Sequence, residues 1–390
     1  MPFEVPSSWA WTTLGEIFTL QAGKNITAKD IYTEKSDEYK YPCFGGNGIR
    51  GYVAISNKIG EYPIIGRQGA LCGNINLAHG SFYATEHAVV VERYCDTDLM
   101  WVYYTLIALN LNQYATATAQ PGLAVNVIND VAIPLPPLNE QQRISKSIMI
   151  LFSFLEAIEC EKLYLKTAIS QTKTKVLDLA IHGRLVPQDP TDEPASELLK
   201  RINPKAEIAC DNGHYQKWPE GWCETQLGDI FNHNTGKALN SSNTEGTLKD
   251  YLTTSNVCWN SFDFSVIKKM LFKESELNKC QITKGDLLVC EGGDIGRAAI
   301  WDYDYDICIQ NHLHRLRPKV NGICVSFYYY VLYYLKINNM IGGKGIGLLG
   351  LSSNALHKLH VPFPPLNEQH RIVAKIEEIF AQLDAIEASL

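Results

Sequence analysis

A chain of 390 residues exceeds what one hydrophobic core usually serves, so two or more domains are expected, and 46% hydrophobic with 20% charged residues excludes a disordered chain. The formal net charge of −7 excludes a free-standing, strongly basic nucleic-acid binder. The 11 cysteines are scattered without a C-x-x-C pair, which excludes a disulfide framework and a zinc module, and no apolar run approaches the ~20 residues that span a bilayer.

The first landmarks in chain order are Trp9, then Leu14-Gly15-Glu16-Ile17-Phe18, then Gly23-Lys24-Asn25. Gly46-Asn47-Gly48 and Arg67-Gln68-Gly69 follow as glycine-flanked loops with planar hydrogen-bonding side chains. The run EHAVVVE at 86–92 reads as a strand. The motif PLPPLNEQQRI at 134–144 then closes this first unit: its prolines force extended backbone and predict a helix N-cap at Asn139, with Gln142 completing a capping-box-like pair.

Beyond that cap, Ile144, Ile148, Leu151, Leu155 and Ile158 alternate steps of four and three, a heptad seam continued by Leu165, Ile169, Val176 and Leu179. Gly183 is the natural C-terminal stop, which makes a rod on the order of 65 Å at ~1.5 Å per residue. Residues 187–194 read as an acidic, proline-marked linker, and 195–202 as a short amphipathic helix.

The second unit repeats the first. Trp222, Leu227-Gly-Asp-Ile-Phe231 and Gly236-Lys237 return 213 residues after Trp9 and its partners, and PFPPLNEQHRI at 362–372 returns 228 residues after Pro134. The second unit is therefore about 15 residues longer between landmarks. Residues 285–290 read as a strand, and Asn367 as the N-cap of a second heptad helix through Arg371, Ile372, Ile376, Ile379, Leu383, Ile386 and Leu390.

Catalytic constellations are missing from the sequence. There is no G-x-x-x-x-G-K-[ST] loop and no Asp/Asn-Pro-Pro-aromatic motif. Asp302, Asp304 and Asp306 alternate along what reads as an exposed strand edge, and His312, His314, His357 and His360 lack a completing zinc ligand, so no catalytic residue and no metal site are expected. DNA readout instead needs loops that carry Arg to guanine, Asn or Gln to adenine, and Lys or backbone amides to phosphate. Lys24, Asn25, Asn47, Arg67 and Gln68 in the first unit, and Lys237, Arg297 and Lys344 in the second, fit that need; singly, such a residue is more often an ordinary turn residue. Lys268, Lys269 and Lys273, and Arg315, Arg317 and Lys319, form local basic clusters that could meet phosphate or simply face solvent. The recurrence of Gly-Lys predicts that Lys24→Ala and Lys237→Ala each weaken one half-site with little effect on folding.

Two units that each open with W-x4-L-G-[DE]-I and close with P-P-L-N-E-Q-x-R-I before a heptad helix resemble the specificity subunit of type I restriction–modification systems, over essentially the whole chain. The resemblance implies an α+β fold of two mixed target recognition domains, residues 1–138 and 206–366, separated by long spacer helices at 139–205 and 367–390 that form an antiparallel coiled coil. It implies a non-catalytic subunit in which each domain reads one half of a bipartite double-stranded DNA site. Asn139, Arg143, Ile144, Ile148, Leu155, Asn367, Arg371, Ile372, Ile376 and Leu383 would serve the spacer and its partners. Those partners would be two methyltransferase (modification) subunits and restriction/translocase subunits, which carry the S-adenosylmethionine, ATP and Mg; none of these cofactors is expected on this chain. The second heptad helix, about half as long as the first, is short for that family and is read as truncated. No membrane segment and a cytoplasmic location are expected. The alternatives are a scaffold of modification subunits that does not read DNA, and a single-chain methyltransferase or nuclease.

Overall fold

The computed structural model describes residues 3–69, 71–116, 121–206, 218–240, 244–341 and 351–390. The chain divides into two compact units, Met1–Cys160 and Glu161–Leu390.

Unit 1 runs β1 (Ala10–Thr13), α1 (Leu14–Ile17), β2 (Phe18–Ala22), β3 (Tyr41–Gly45), β4 (Gly48–Val53), β5 (Lys58–Gly66), β6 (Ile75–Ala84), β7 (Ala88–Arg93), α2 (Leu99–Ala108), α3 (Val125–Asn129), β8 (Ala132–Leu135) and the start of α4 (Leu138–Ile181). Six strands form one sheet in the order β2-β7-β5-β6-β3-β4, while β1 pairs antiparallel with β8 and so ties the closing proline motif to the opening tryptophans. The EHAVVVE run becomes β7, whose Val89, Val90 and Val91 are all buried because this strand is covered on both faces. Val89, Val91 and Ile65 pack with Trp101, Val102 and Leu106 of α2, and Val90 and Ile64 pack with Phe44 and Phe82 on the other side. Each such side chain contributes roughly 1.5–3 kcal/mol by leaving water.

Unit 2 continues through α5 (Ala195–Ile202), β9 (Cys223–Gln226), α6 (Leu227–Ile230), β10 (Phe231–Thr235), β11 (Thr247–Leu252), β12 (Val257–Cys258), β13 (Ser261–Phe262) and β14 (Lys268–Phe272). It is completed by α7 (Glu274–Cys280), β15 (Gln281–Ile282), β16 (Leu287–Cys290), β17 (Ala298–Ile300), β18 (Ile307–Ile309), β19 (Leu313–Pro318), α8 (Val325–Ile337), α9 (Ser353–His357), β20 (His360–Phe363) and α10 (Leu366–Ala388). Its strands follow the design of unit 1: β10-β19-β16-β17 form one sheet, β14-β11-β18-β15 another, and β20 pairs with β9 as β8 does with β1. A parallel strand pairing also recurs, β3 with β6 and β11 with β18. Where unit 1 has the single long strand β6, unit 2 has β17 and β18 separated by residues 301–306. Asp302 and Asp304 therefore lie in a loop, not on the expected strand edge, with Lys284 Nζ 3.5 and 2.9 Å from their carboxylates, and Asp306 accepts from Gln281.

The 44-residue α4 spans about 66 Å. It ends as expected at Gly183, whose φ of +65° carries the closing bonds Gly183 N–H to the Ala180 carbonyl and Arg184 N–H to the Leu179 carbonyl. In unit 2 its last turns, Val176, Leu177, Ala180 and Ile181, share a core with Ile372, Val373 and Ile376 of α10 and with Leu198 and Leu199 of α5. Lys173 binds Asp384 (2.6 Å) and Glu387 (3.1 Å), and Lys162 reaches the Leu390 carbonyl, so α10 runs antiparallel along residues 162–181.

Along the seam, the later turns of α4 pack on α10, while Leu151, Leu155 and Ile158 are exposed. One expectation about these helices is corrected. Asn139 and Asn367 are not caps: both helices begin one residue earlier, at Leu138 and Leu366, where the preceding proline already fixes an extended entry (Pro365 φ −49°, ψ 141°). Asn367 instead donates to Asp192, and Gln142 is exposed and caps nothing.

Candidate nucleic-acid interface

The repeated Gly-Lys step owes its recurrence to backbone packing. A Cβ on Gly23 would stand 2.0 Å from the Ala84 carbonyl oxygen, and one on Gly236 would stand 2.1 Å from that of Ile309. Only glycine lets the main chain come this close. The contact is fixed by matching hydrogen bonds: Gly23 N–H to Ala88 O and Lys24 N–H to Ala84 O in unit 1, Gly236 N–H to Leu313 O and Lys237 N–H to Ile309 O in unit 2.

What these bonds hold is the bend that follows β6 and β18. Its residues are Thr85, Glu86 and His87 in unit 1, and Gln310, Asn311 and His312 in unit 2. Thr85 N–H donates to Phe44 O as Gln310 N–H does to Leu252 O, and His87 O accepts from Arg67 N–H as His312 O does from Glu291 N–H. The hairpin loops after β5 and β16 are also alike: Gly73 N–H to Gly66 O matches Gly296 N–H to Cys290 O. Two of the segments chosen from sequence in unit 1, Gly23-Lys24-Asn25 and Arg67-Gln68-Gly69, therefore converge on one bend. The turn bearing Asn47 joins them through Asn74, which donates to Asn47 Oδ1 at 2.8 Å, and a Cβ on Gly66 would stand 2.0 Å from the Gly46 carbonyl oxygen.

The candidate side chains do not behave alike. Lys24, Asn25, Asn47 and Gln68 are exposed. Arg67 is half-buried, its Nε donating to the Leu123 carbonyl at 3.1 Å. Arg297 donates to the Thr254 carbonyl at 2.8 Å and leaves its Nε buried without a partner. Lys237 departs from the expectation of a free cation: its side chain is 12% exposed, donates to the Leu271 carbonyl at 2.8 Å and pairs with Glu276 at 2.5 Å. That hydrogen bond holds the Glu276 carboxyl below its ordinary range. Removing Lys237 would thus disturb the fold, so the pair of lysine substitutions is not symmetrical. Lys344 lies outside the described residues, as does the rest of its glycine stretch at 342–347.

The basic cluster Arg315, Arg317 and Lys319 is turned inward. Arg315 is buried and donates to the Gln281 carbonyl, Arg317 binds buried Asp286 through two bonds of 2.7 and 2.6 Å, and Lys319 donates to the Gly228 carbonyl. Burial lowers the Arg315 pKa, whereas the bond to Asp286 raises that of Arg317. Lys273 pairs with Glu245 at 2.7 Å and Lys269 lies 3.5 Å from Asp250. Among the histidines, His314 binds His233 (3.0 Å) and the Leu351 carbonyl (2.8 Å), and His360 binds Glu224 (2.7 Å).

Sequence reading passed over the residues that lock each closing motif. Gln141 and Gln369 are both buried, and each spans two elements: Gln141 donates to the Pro136 carbonyl (2.9 Å) and accepts from Asp98 N–H (2.9 Å), while Gln369 donates to Pro364 (2.9 Å) and accepts from Cys324 N–H (3.2 Å). Asp98 and Cys324 are the N-caps of α2 and α8, so one glutamine per unit fastens the start of the long helix to the domain helix. Its repetition in both PPLNEQ motifs was the available signal. Of the spacer residues, Ile372 and Ile376 are buried and Leu383 is half-buried; Arg371 binds Asp192 at 2.6 Å. Asn139 and Arg143 are exposed, and half-buried Ile144 and Ile148 line an apolar groove with Trp9, Trp11 and Trp101.

The family described as type I restriction modification DNA specificity domain matches residues 6–171 and again 219–390. The chain belongs to this family. The two copies of the DNA specificity domain correspond to the repeat read from the sequence and to the matching bends. Among curated relatives, the EcoprrI specificity subunit of Escherichia coli is 44% identical over 167 residues, 43% of this chain and 41% of that protein. The EcoBI specificity subunit of Escherichia coli is 25% identical over 79% of this chain and 66% of its own length. The matched parts thus fall short of two thirds of either protein. The specificity subunit S.HindORF215P of Haemophilus influenzae, itself named as putative, is 22% identical over 97% of this chain and 90% of its own. The crystal structure of the HsdS subunit from Thermoanaerobacter tengcongensis has a TM-score of 0.60 at 17% identity, covering 100% of this chain and 93% of that one, which shows the same fold. Two mixed helix-and-sheet domains with long helices, the architecture expected from the sequence, is the architecture found.

Proposed function

We propose that this chain is the DNA-recognition subunit of a type I restriction–modification complex, each domain reading one half of a bipartite site. The observation that carries this reading is the pair of bends: one main-chain scaffold, built twice, presents different polar side chains. Two readers that share a frame and differ in sequence would read two different half-sites.

The chain acts without catalysis of its own in this reading, directing adenine methylation or cleavage by other subunits. Two modification subunits would bring S-adenosylmethionine, and restriction/translocase subunits ATP and Mg. The uncovered seam of α4 at Leu151, Leu155 and Ile158 is apolar surface suited to partner helices. No described helix is long and apolar enough to cross a membrane, in keeping with work on DNA in the cytoplasm.

Methylation mapping tests this in cells that express the chain with its neighbouring modification subunit, against cells that lack it. Adenine methylation at a bipartite motif with a fixed gap is expected. A stable complex that adds no motif would favour the scaffold reading instead.

A further inference from the structure

We propose that the bend after β6 and β18 carries the side chains that read base edges, and that Glu86 selects cytosine in the half-site of unit 1 while Gln310 and Asn311 select adenine in that of unit 2. This assignment rests on the proposed DNA-reading function and names its specificity residues.

The bend is where the polar, glycine-flanked loops of each unit converge, and its own backbone is fastened by the main chain of those loops. Thr85 is buried and its Oγ1 accepts from His87 N–H, but the other side chains are left over. Glu86 Oε1 and His87 Nε2 meet at 3.1 Å, but Glu86 Oε2 and His87 Nδ1 are shielded and reach no partner. Gln310, Asn311 and His312 hydrogen-bond through their side chains to none of the described residues. Most buried polar groups in folded proteins find partners, so the orphaned Glu86 Oε2 and His87 Nδ1 of unit 1 point to a ligand outside the fold, and half-buried Gln310 and Asn311 hold the corresponding place in unit 2 with their amides unspent within it.

The chemistry of each row then identifies the base. In the major groove cytosine offers only the N4 amino donor, whereas guanine offers the N7 and O6 acceptors and thymine the O4 acceptor. Adenine pairs its N6 donor with the N7 acceptor, which suits an amide that donates and accepts at once. A carboxylate accepts only. Glu86 therefore binds cytosine N4 and repels the acceptors of the other bases, discrimination by repulsion that also explains a negative charge at a surface meant for DNA. The amides of Gln310 and Asn311 match adenine.

The test is the methylation map of the full complex carrying Glu86→Gln, an isosteric change, set against the parent and against Asn311→Leu, with thermal unfolding showing that each variant folds. Expected is a motif in which one G·C position of one half becomes A·T or degenerate in Glu86→Gln, with about tenfold or greater loss of discrimination there and no change in the other half. Asn311→Leu is expected to relax one A·T position in the opposite half. An unaltered motif in a folded Glu86→Gln complex, or a changed position that is A·T in the parent, overturns the assignment while leaving the half-site reading intact. No bipartite motif with the parent chain overturns the proposed function, and this assignment with it.

Discussion

Gln141 and Gln369 show what a single buried amide can hold. Each satisfies a prolyl carbonyl on one side and a helix-capping N–H on the other. Gln369→Leu leaves both backbone groups buried and unpaired, at ~1–3 kcal/mol each. We expect unit 2 to lose about 3 kcal/mol, read as a lowered denaturant midpoint, and Gln369→Glu, which sets a fully buried carboxylate against the Pro364 carbonyl, to lose at least as much. Equal midpoints for Gln369→Leu and the parent would show that the lock carries no stability. The two lysines differ in the same way: Lys237→Ala removes a mostly buried ion pair with Glu276 and is expected to cost about 1–2 kcal/mol, whereas exposed Lys24→Ala is expected to leave the melting temperature unchanged. Identical melting of the two variants would contradict this. The sequence showed that Gly-Lys recurs; which of the two residues the fold requires became visible only from the 2.0 and 2.1 Å approaches, since a Cβ clash depends on a strand about 60–70 residues away in the chain.

At the scale of elements, the helices and their stops were the most legible, because a heptad period and a positive-φ glycine are local signals. Gly183 illustrates the strength of such a stop. Its φ is +65°, and a Cβ there would meet Pro219 Cγ at 2.4 Å. Gly183→Ala is expected to destabilise unit 2 by about 1–2 kcal/mol from backbone strain alone, with more from the contact; a thermal melt that does not shift would refute it. Less legible was the extent of helix pairing. The seam of α4 is written along its whole length, but periodicity states that a face is apolar and not what lies on it. The caps were misread for a related reason. Asn in PPLN is a good N-cap by type, yet the proline before the leucine already sets the entry dihedrals, so the asparagine is carried one position into the helix and bonds elsewhere.

Across the whole molecule, the two units share a frame but not a core chemistry. Where unit 1 has Leu20 and Val89 on β2 and β7, unit 2 has His233 and His314 on β10 and β19, hydrogen-bonded at 3.0 Å. Burial pushes His233 down to about 4, with His314 and His357 adding repulsion, and burial lowers His314 too against the opposing pull of its bond to Leu351. Unfolded histidine takes up its proton near 6.5, so the folded pair resists protonation that the unfolded chain accepts. Its stabilisation is complete above about pH 6.5 and is lost as pH falls toward 4. Unfolding monitored from pH 7 to pH 5 is therefore expected to weaken unit 2 more than unit 1, and His233→Leu combined with His314→Val, the residues of unit 1, should remove that difference. A pH dependence that survives the double substitution would place its origin elsewhere. The duplication itself was plain in the sequence. The histidine pair was not, because residues 81 apart give no sign that they touch.

The bends are fastened by carbonyls and amides, which every amino acid possesses in the same form. Exchanging Glu86 or His87 leaves those bonds in place, so the cost of novelty at these two positions is small, whereas Thr85 is buried and its Oγ1 accepts from His87 N–H. A lineage could then pass through many half-site preferences by substitution at a few half-buried side chains without crossing a misfolded intermediate. The same freedom makes the two bends a natural cassette for engineering: the last two residues of one bend, transplanted to the other unit, would arrive on a seat already shaped to receive them.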